Sequence, residues 1–429
     1  MYAGFFFGVT MIDMKINLLK IIKFFFLFFF TSLSFSETYE LGGLYTYHYH
    51  DGRYADWGDY ARTAAYMAID DINNDNFLGD NDRLSMQPEN VIDYHCWPSN
   101  VDAMAATLIK KNILIMTGTD CSSPAVIIAN VGAKYEIPVI SNGANASMLS
   151  SRKNFPWFLR VVTPSEEYDR YLIELADYLN IKKIAYFYTT DAWGLGAKKV
   201  IHSTVKEKGI TIAKEFGFKR DTNQEEINSY MQLVKQQGIK HIVITGPTPD
   251  TARVFRAIDK YELNKKGNTI FATEMISADE ASDVVRGSKG YFAPMTFLEK
   301  TPQLENFKKA LEIKLDKDID VNSKAFFYGA LSYDHIMTVG HAIKDIKNSQ
   351  NRVTRKTLMN FLRKVDFKGV TGRVYFSDSS NDRINMPLQI VNSHGLDIKT
   401  NQVKFETIAI ATNEGKLIID DSKILLPGY

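Results

Sequence analysis

What most constrains this chain is a repeated pairing of apolar β-branched runs with small polar turns. Its clearest copy runs from Ile113 to Ser147, ILIMTGTDCSSPAVIIANVGAKYEIPVISNGANAS. Ile113 to Thr117 reads as a strand and Gly118 to Ser123 as a turn, with Ser122, Ser123 and Pro124 opening a helix. Ile137 to Ile140 is a second buried strand, ending in the small polar stretch Ser141 to Ser147. Apolar runs that end in Gly, Ser or Asn and feed an amphipathic helix are the sequence form of a βαβ unit. In an open parallel sheet, ligands sit beyond the carboxyl ends of the strands, where helix N-termini present free N–H groups. Two such turns side by side can hold a carboxylate or another small acceptor. The same residue types also serve ordinary βα turns.

The alternation continues on both sides of this copy. Leu41 to Tyr47 is a strand, followed by a helix from Trp57 to Asn74 that turns Ala61, Ala64, Ala65, Ala68, Ile69 and Ile72 inward. Between them lies HYHDGRYADWGDY, whose aromatic residues at the ligand edge can line a pocket or seal the rim. A helix from Asn100 to Lys110 is expected to start on a cap at Ser99 or Asn100. A second series begins after Phe158 to Val162, with strands at Lys183 to Tyr188, Ile210 to Phe216, His241 to Thr245 and Thr269 to Ala272. Pro302 to Val365 is mostly helical, Ala325 to Ile346 being the longest run, and short strands follow Gly369. At 429 residues the chain exceeds one core. The expected fold class is α/β, with two doubly wound parallel-sheet lobes. One lobe takes residues 37–162 plus 295–366 and the other 163–294 plus 367–429, with crossings near Val162, Pro294 and Asp366.

Lys15, Lys20 and Lys23 precede the apolar run Phe24 to Phe30, and small polar residues follow up to Ser36. That order fits a secretory signal peptide over residues 1–36, and hence export to the periplasm. In an oxidising compartment Cys96 and Cys121, each just after a first-lobe strand, are expected to bond. A net charge of +1 with scattered Lys and Arg gives no footprint for nucleic acid. No G-x-S-x-G elbow, H-E-x-x-H pair or P-loop occurs, so neither an enzyme nor a cofactor is expected. His48 and His50 could share one face and hold a metal, but no third ligand accompanies them, so none is assigned. Asp191 near the ligand edge has no evident acid/base partner.

Several stretches carry a family resemblance: AAYMAIDDIN, GTDCSS, IPVIS, FLRVVTPSEEY, KIAYFYTTDAWGLGA and IVITGPTPDTARVFRA. Their order and spacing, from Leu41 to about Phe376, resemble the type I periplasmic binding proteins. The nearest likeness is to the leucine/isoleucine/valine-type receptors of ABC transporters and the related amide-binding receptors. The resemblance implies a three-strand hinge between the lobes and matches a disulfide between Cys96 and Cys121. It implies that a ligand carboxylate meets Ser122, Ser123 and the turn from Gly143 to Asn145. The ammonium would meet Glu274, with Trp57 and Trp193 as aromatic walls. Asn145 stands where the family often has Thr, and Pro247 falls where a tyrosine is frequent. The implied function is capture of a small polar ligand, foremost an amino acid, for delivery to an ABC permease. An amide, urea-like or aromatic solute, or signalling to a partner in place of transport, are the other readings.

Overall fold

The computed structural model describes residues 36–276, 282–384, 386–397, 402–412 and 416–427. The expected signal segment, apart from Ser36, lies outside them. The first sheet contains β1 (Thr38–Tyr45), β2 (Arg83–Ser85), β3 (Val91–Asp93), β4 (Ile115–Gly118), β5 (Val139–Ser141) and β6 (Phe158–Arg160). All its pairings are parallel, in the order β2-β1-β4-β5-β6, and β3 joins the same edge of β1 as β2. The chain thus leaves β1 toward one edge and returns on its other side as β4. The turns after β1 and β4 diverge at this switch point and leave a crevice.

The second sheet repeats the device. It contains β7 (Lys183–Thr189), β8 (Thr211–Phe218), β9 (His241–Thr245), β10 (Thr269–Ala272) and β11 (Phe292–Thr296), parallel in the order β8-β7-β9-β10-β11. Antiparallel strands β14 (Leu388–Asp397), β15 (Gln402–Ala411) and β16 (Leu417–Ile419) extend it beyond β11. Between β11 and β14 in the sequence lies the hairpin of β12 (Asp366–Gly369) and β13 (Gly372–Tyr375). The β-branched strand interiors, such as Ile242 to Ile244 and Val139 with Ile140, are buried, as covering both faces with helices demands.

Helices cover the sheets. The first lobe carries α1 (Asp56–Asn74), α2 (Val101–Ile109) and α3 (Ser122–Tyr135). The second carries α4 (Ser165–Tyr178), α5 (Ala192–Glu207), α6 (Gln224–Gln236), α7 (Thr248–Lys260) and α8 (Ser282–Gly287). Then come α9 (Pro302–Leu315), α10 (Lys324–Asn348) and α11 (Arg355–Leu362). The inward alanines of α1 are buried and pack α1 closely along α10, which returns the chain to the first lobe. Asn100 does precede α2, but in a left-handed conformation with no side-chain cap bond, so its role there is conformational.

Where the sequence suggested a crossing near Asp366, the structure has the β12–β13 hairpin. Buried Asp334 of α10 accepts from Val370 N (2.9 Å), Thr371 N (2.9 Å) and the Thr371 hydroxyl, tying that hairpin to the first lobe. The chain joins the second sheet only at Leu388. A parallel bridge between Arg160 and Asp382 precedes that entry.

Cys96 and Cys121 are bonded, with a Cα–Cα separation of 5.5 Å. Their strands are not neighbours, since β1 lies between β3 and β4. The gap is crossed because His95 and Cys96 both take positive φ (58° and 51°), swinging the chain over the end of β1. Non-reducing mass analysis of the purified protein should show no free thiol. Reduction should lower the unfolding free energy by roughly 3 kcal/mol, as expected for a bond closing a loop of this length.

Candidate functional site

The switch points of the two sheets face each other across a narrow cavity lined from both lobes. An adjoining compartment shares Gly143, Asn145, Trp193, Glu274, Lys324 and Tyr328 with it. All the positions singled out from the sequence reach the main cavity: Trp57, Ser122, Ser123, Gly143, Asn145, Trp193 and Glu274. Sequence reasoning did not reach Asp120, Arg220, Lys324 or Tyr328, which also line it.

The first lobe supplies donors. Gly118 ends β4 at φ 93°, where an added Cβ would lie 2.2 Å from Leu44 O, so only glycine makes this turn. The turn delivers α3 with Cys121 as N-cap and no side-chain cap bond, so the amides of Ser122 and Ser123 open the helix without a side-chain acceptor. The Ser122 hydroxyl accepts from Ala146 N at 3.0 Å, which leaves its own proton to donate. Aromatic rings form the wall. Trp57 and Tyr328 pack with centroids 4.9 Å apart, and the Trp57 indole N–H donates to Tyr49 at 2.7 Å.

The second lobe closes the cavity. Asp191 caps α5 by accepting from Gly194 N at 3.0 Å, and it also accepts from the Thr189 hydroxyl at 2.9 Å. It reaches across the cleft as well, receiving the Ser123 hydroxyl at 3.0 Å. Arg220 crosses in the same region, donating to Cys96 O at 2.7 Å and pairing with Asp191 at 3.3 Å and Asp250 at 3.4 Å. Burial pushes the Asp250 carboxyl up to about 6, against the pull of Arg220 and Arg253. Trp193 is only 6% exposed, and its indole N–H has no hydrogen-bond partner among the described residues.

Glu274 already has partners. Lys324, on α10, pairs with Oε1 at 3.1 Å, and Thr248 donates to Oε2 through its backbone N–H at 2.5 Å and through its hydroxyl. The histidines of the aromatic loop lie elsewhere. His48 pairs with Asp93 at 3.0 Å and is half exposed, while His50 stacks on Trp97 at 4.1 Å.

Asp120 sits fully buried beneath the cavity floor. It accepts from Asn142 Nδ2 (2.7 Å), Thr46 N (3.1 Å) and the Tyr94 hydroxyl (3.4 Å). Burial outweighs those bonds and pushes its carboxyl up to about 7. The folded state therefore holds a proton that the unfolded chain releases near pH 4. The stabilisation is complete below that pH and is lost as pH rises toward 7. Asp120→Asn should remove that slope. Its unfolding free energy relative to the parent should be higher at pH 7 than at pH 4 by up to ~4 kcal/mol, measured by denaturant titration at both values.

A crevice at facing switch points, floored by helix N-termini and walled by indole rings, defines a two-lobed ligand-binding domain with the type I periplasmic binding fold. Residues 60–395 match the family described as "Receptor family ligand binding region", and the chain belongs to that family. Among its relatives is glutamate receptor 3.7 of Arabidopsis thaliana, 23% identical over 80% of this chain and 39% of the relative. Gamma-aminobutyric acid type B receptor subunit 1 of Caenorhabditis elegans is 21% identical over 81% of the chain and 41% of the relative. Metabotropic glutamate receptor 4 of Mus musculus is 22% identical over 56% of the chain and 27% of the relative. The chain thus spans well under half the length of each.

Proposed function

We propose that this chain is an exported binding module whose lobes close on a small solute carrying a carboxylate. One observation supports this above the rest: several hydrogen-bond donors without an acceptor border the cleft. The Ser122 and Ser123 amides, the Ser122 hydroxyl and the orphaned Trp193 indole N–H border one cavity. A buried donor without an acceptor is costly, and a carboxylate supplies several acceptor positions at once. The positive end of α3 adds to the attraction. The ligand's apolar body packs between Trp57, Tyr328 and Trp193. Relatives named for glutamate and gamma-aminobutyric acid fit a carboxylate-bearing ligand.

The contacts from Ser123 to Asp191 and from Arg220 to Cys96 O are ones that hinge closure would make and break. Closure of this kind serves a sensor that reports to a partner, the use favoured by the receptor-family match. Delivery to an ABC permease is the second reading, supported by the motif order through KIAYFYTTDAWGLGA.

Thermal-shift screening of amino acids, amides and simple carboxylic acids should raise the melting point only with carboxylates. With the best of them, Ser122→Ala should cost about 1.5–3 kcal/mol in calorimetric titration, and Trp193→Phe about 1 kcal/mol while keeping most of the apolar contact. Parent-like affinity in both variants would remove the carboxylate seat from this end of the cleft.

A further inference from the structure

The sequence resemblance gives Glu274 to a ligand's ammonium, yet the structure gives it an ammonium from the chain itself. Lys324 begins α10, which packs on α1 of the first lobe. Glu274 follows β10 in the second. The Lys324 ammonium lies 3.1 Å from Glu274 Oε1 and 3.1 Å from the Thr248 hydroxyl oxygen. It also lies 5.6 Å from the Trp57 ring centroid and 6.0 Å from that of Tyr328. Both charged side chains are largely buried, Lys324 at 9% exposure and Glu274 at 15%. The remaining carboxylates of the cavity are equally engaged. Asp191 holds Arg220, Ser123 and Gly194 N, and Asp120 holds Asn142, Thr46 N and Tyr94.

We propose that Lys324 is a built-in counter-ion for Glu274, so that the cleft takes simple carboxylates and requires no α-ammonium on its ligand. This rests on the carboxylate seat proposed above and adds the chemistry of the other end. A ligand ammonium can reach Glu274 only by displacing a tethered one from a partly desolvated pair. That exchange forfeits the Lys324 contacts with Glu274, Thr248 and the two rings. It also leaves a second cation in the same small space, where like charges repel. A ligand lacking the amine leaves the pair intact. It can also accept a hydrogen bond from Lys324, whose ammonium has a third N–H beyond the two used. Specificity then comes from what the site would have to give up for the wrong ligand.

Matched pairs that differ only by the amine test this: L-leucine against 4-methylpentanoate, and L-phenylalanine against 3-phenylpropionate. Calorimetric titration of the unaltered protein should show the better-fitting acid binding at least as tightly as its amino acid. Lys324→Met keeps the stem against Trp57 but frees Glu274, and should move the ratio toward the amino acid by tenfold or more. Lys324→Arg should keep the parent's preference, and an unchanged melting point for each variant would show that the fold is retained. If Lys324→Met proved unstable, the parent's ratio and that of Glu274→Gln would decide. In Glu274→Gln the acid should stay preferred, because the free lysine then attracts it more. Tenfold tighter binding of the amino acid by the parent, or a ratio that Lys324→Met leaves unmoved, overturns the proposal while sparing the carboxylate seat. Binding of neither member of either pair overturns both.

Discussion

The guanidinium of Arg160 is the contact on which the cleft most depends. Its side chain is fully buried at the end of β6. It donates through Nε to Asp382 (2.7 Å), through Nη1 to Ala144 O (3.1 Å) and Ala146 O (2.8 Å), and through Nη2 to the Ser150 hydroxyl (2.6 Å). The two carbonyls flank Asn145, so the arginine fixes the turn that carries one wall of the cavity. Asp382 lies on the last passage between the lobes, and backbone bonds from Arg160 N to Asn381 O and from Arg383 N to Arg160 O lock that passage beside β6. A buried cation is tolerated only when paired and hydrogen-bonded, which this one is on every side. One side chain therefore couples the shape of the site to the hinge that would open it.

A second buried network completes the hinge from the other direction. Arg383 is fully buried and donates to the Thr371 hydroxyl at 2.6 Å and to Thr371 O at 3.0 Å, while Asp334 holds the amides of Val370 and Thr371. Burial lowers the Arg383 guanidinium to about 10 and raises the Asp334 carboxyl, each opposed by the charge of the other. The crossing segments are thus anchored firmly on the first-lobe side. Across the cleft the lobes meet through Ser123 with Asp191, Arg220 with Cys96 O and the Lys324–Glu274 pair. Closure about the anchored hinge would make and break these contacts.

The parallel-sheet pattern was legible because β-branched runs ending in small residues have few other uses. His241–Thr245 and Thr269–Ala272 fall where their composition put them. Ser122 could be named because a strand's carboxyl end fixes which turn faces the crevice, whereas Trp193 and Glu274 were implied only by the family resemblance. Lys324 could not. It lies at the start of a helix far along the chain, in a mostly helical region, and only packing of α10 on α1 brings it beneath Trp57. Arg220 likewise follows β8, an edge strand whose turn reaches the cleft through a long side chain. The hairpin at Asp366–Tyr375 read as the start of the second lobe because its short strands resemble sheet strands, whereas the buried Asp334 carboxylate that holds it lies on a distant helix. Charge partners set by tertiary packing leave no local periodicity to read.

The central claim is that the cleft's unused donors receive a carboxylate, and the Trp193 indole reports on this directly. The protein has four tryptophans, so their indole N–H resonances are few enough to assign by nitrogen-15 NMR with a Trp193→Phe control. Titration with 4-methylpentanoate or L-leucine should move the Trp193 indole proton and the Ser122 and Ser123 amide protons downfield together, as a charged acceptor arrives. Saturable binding that leaves those three resonances in place would contradict the account.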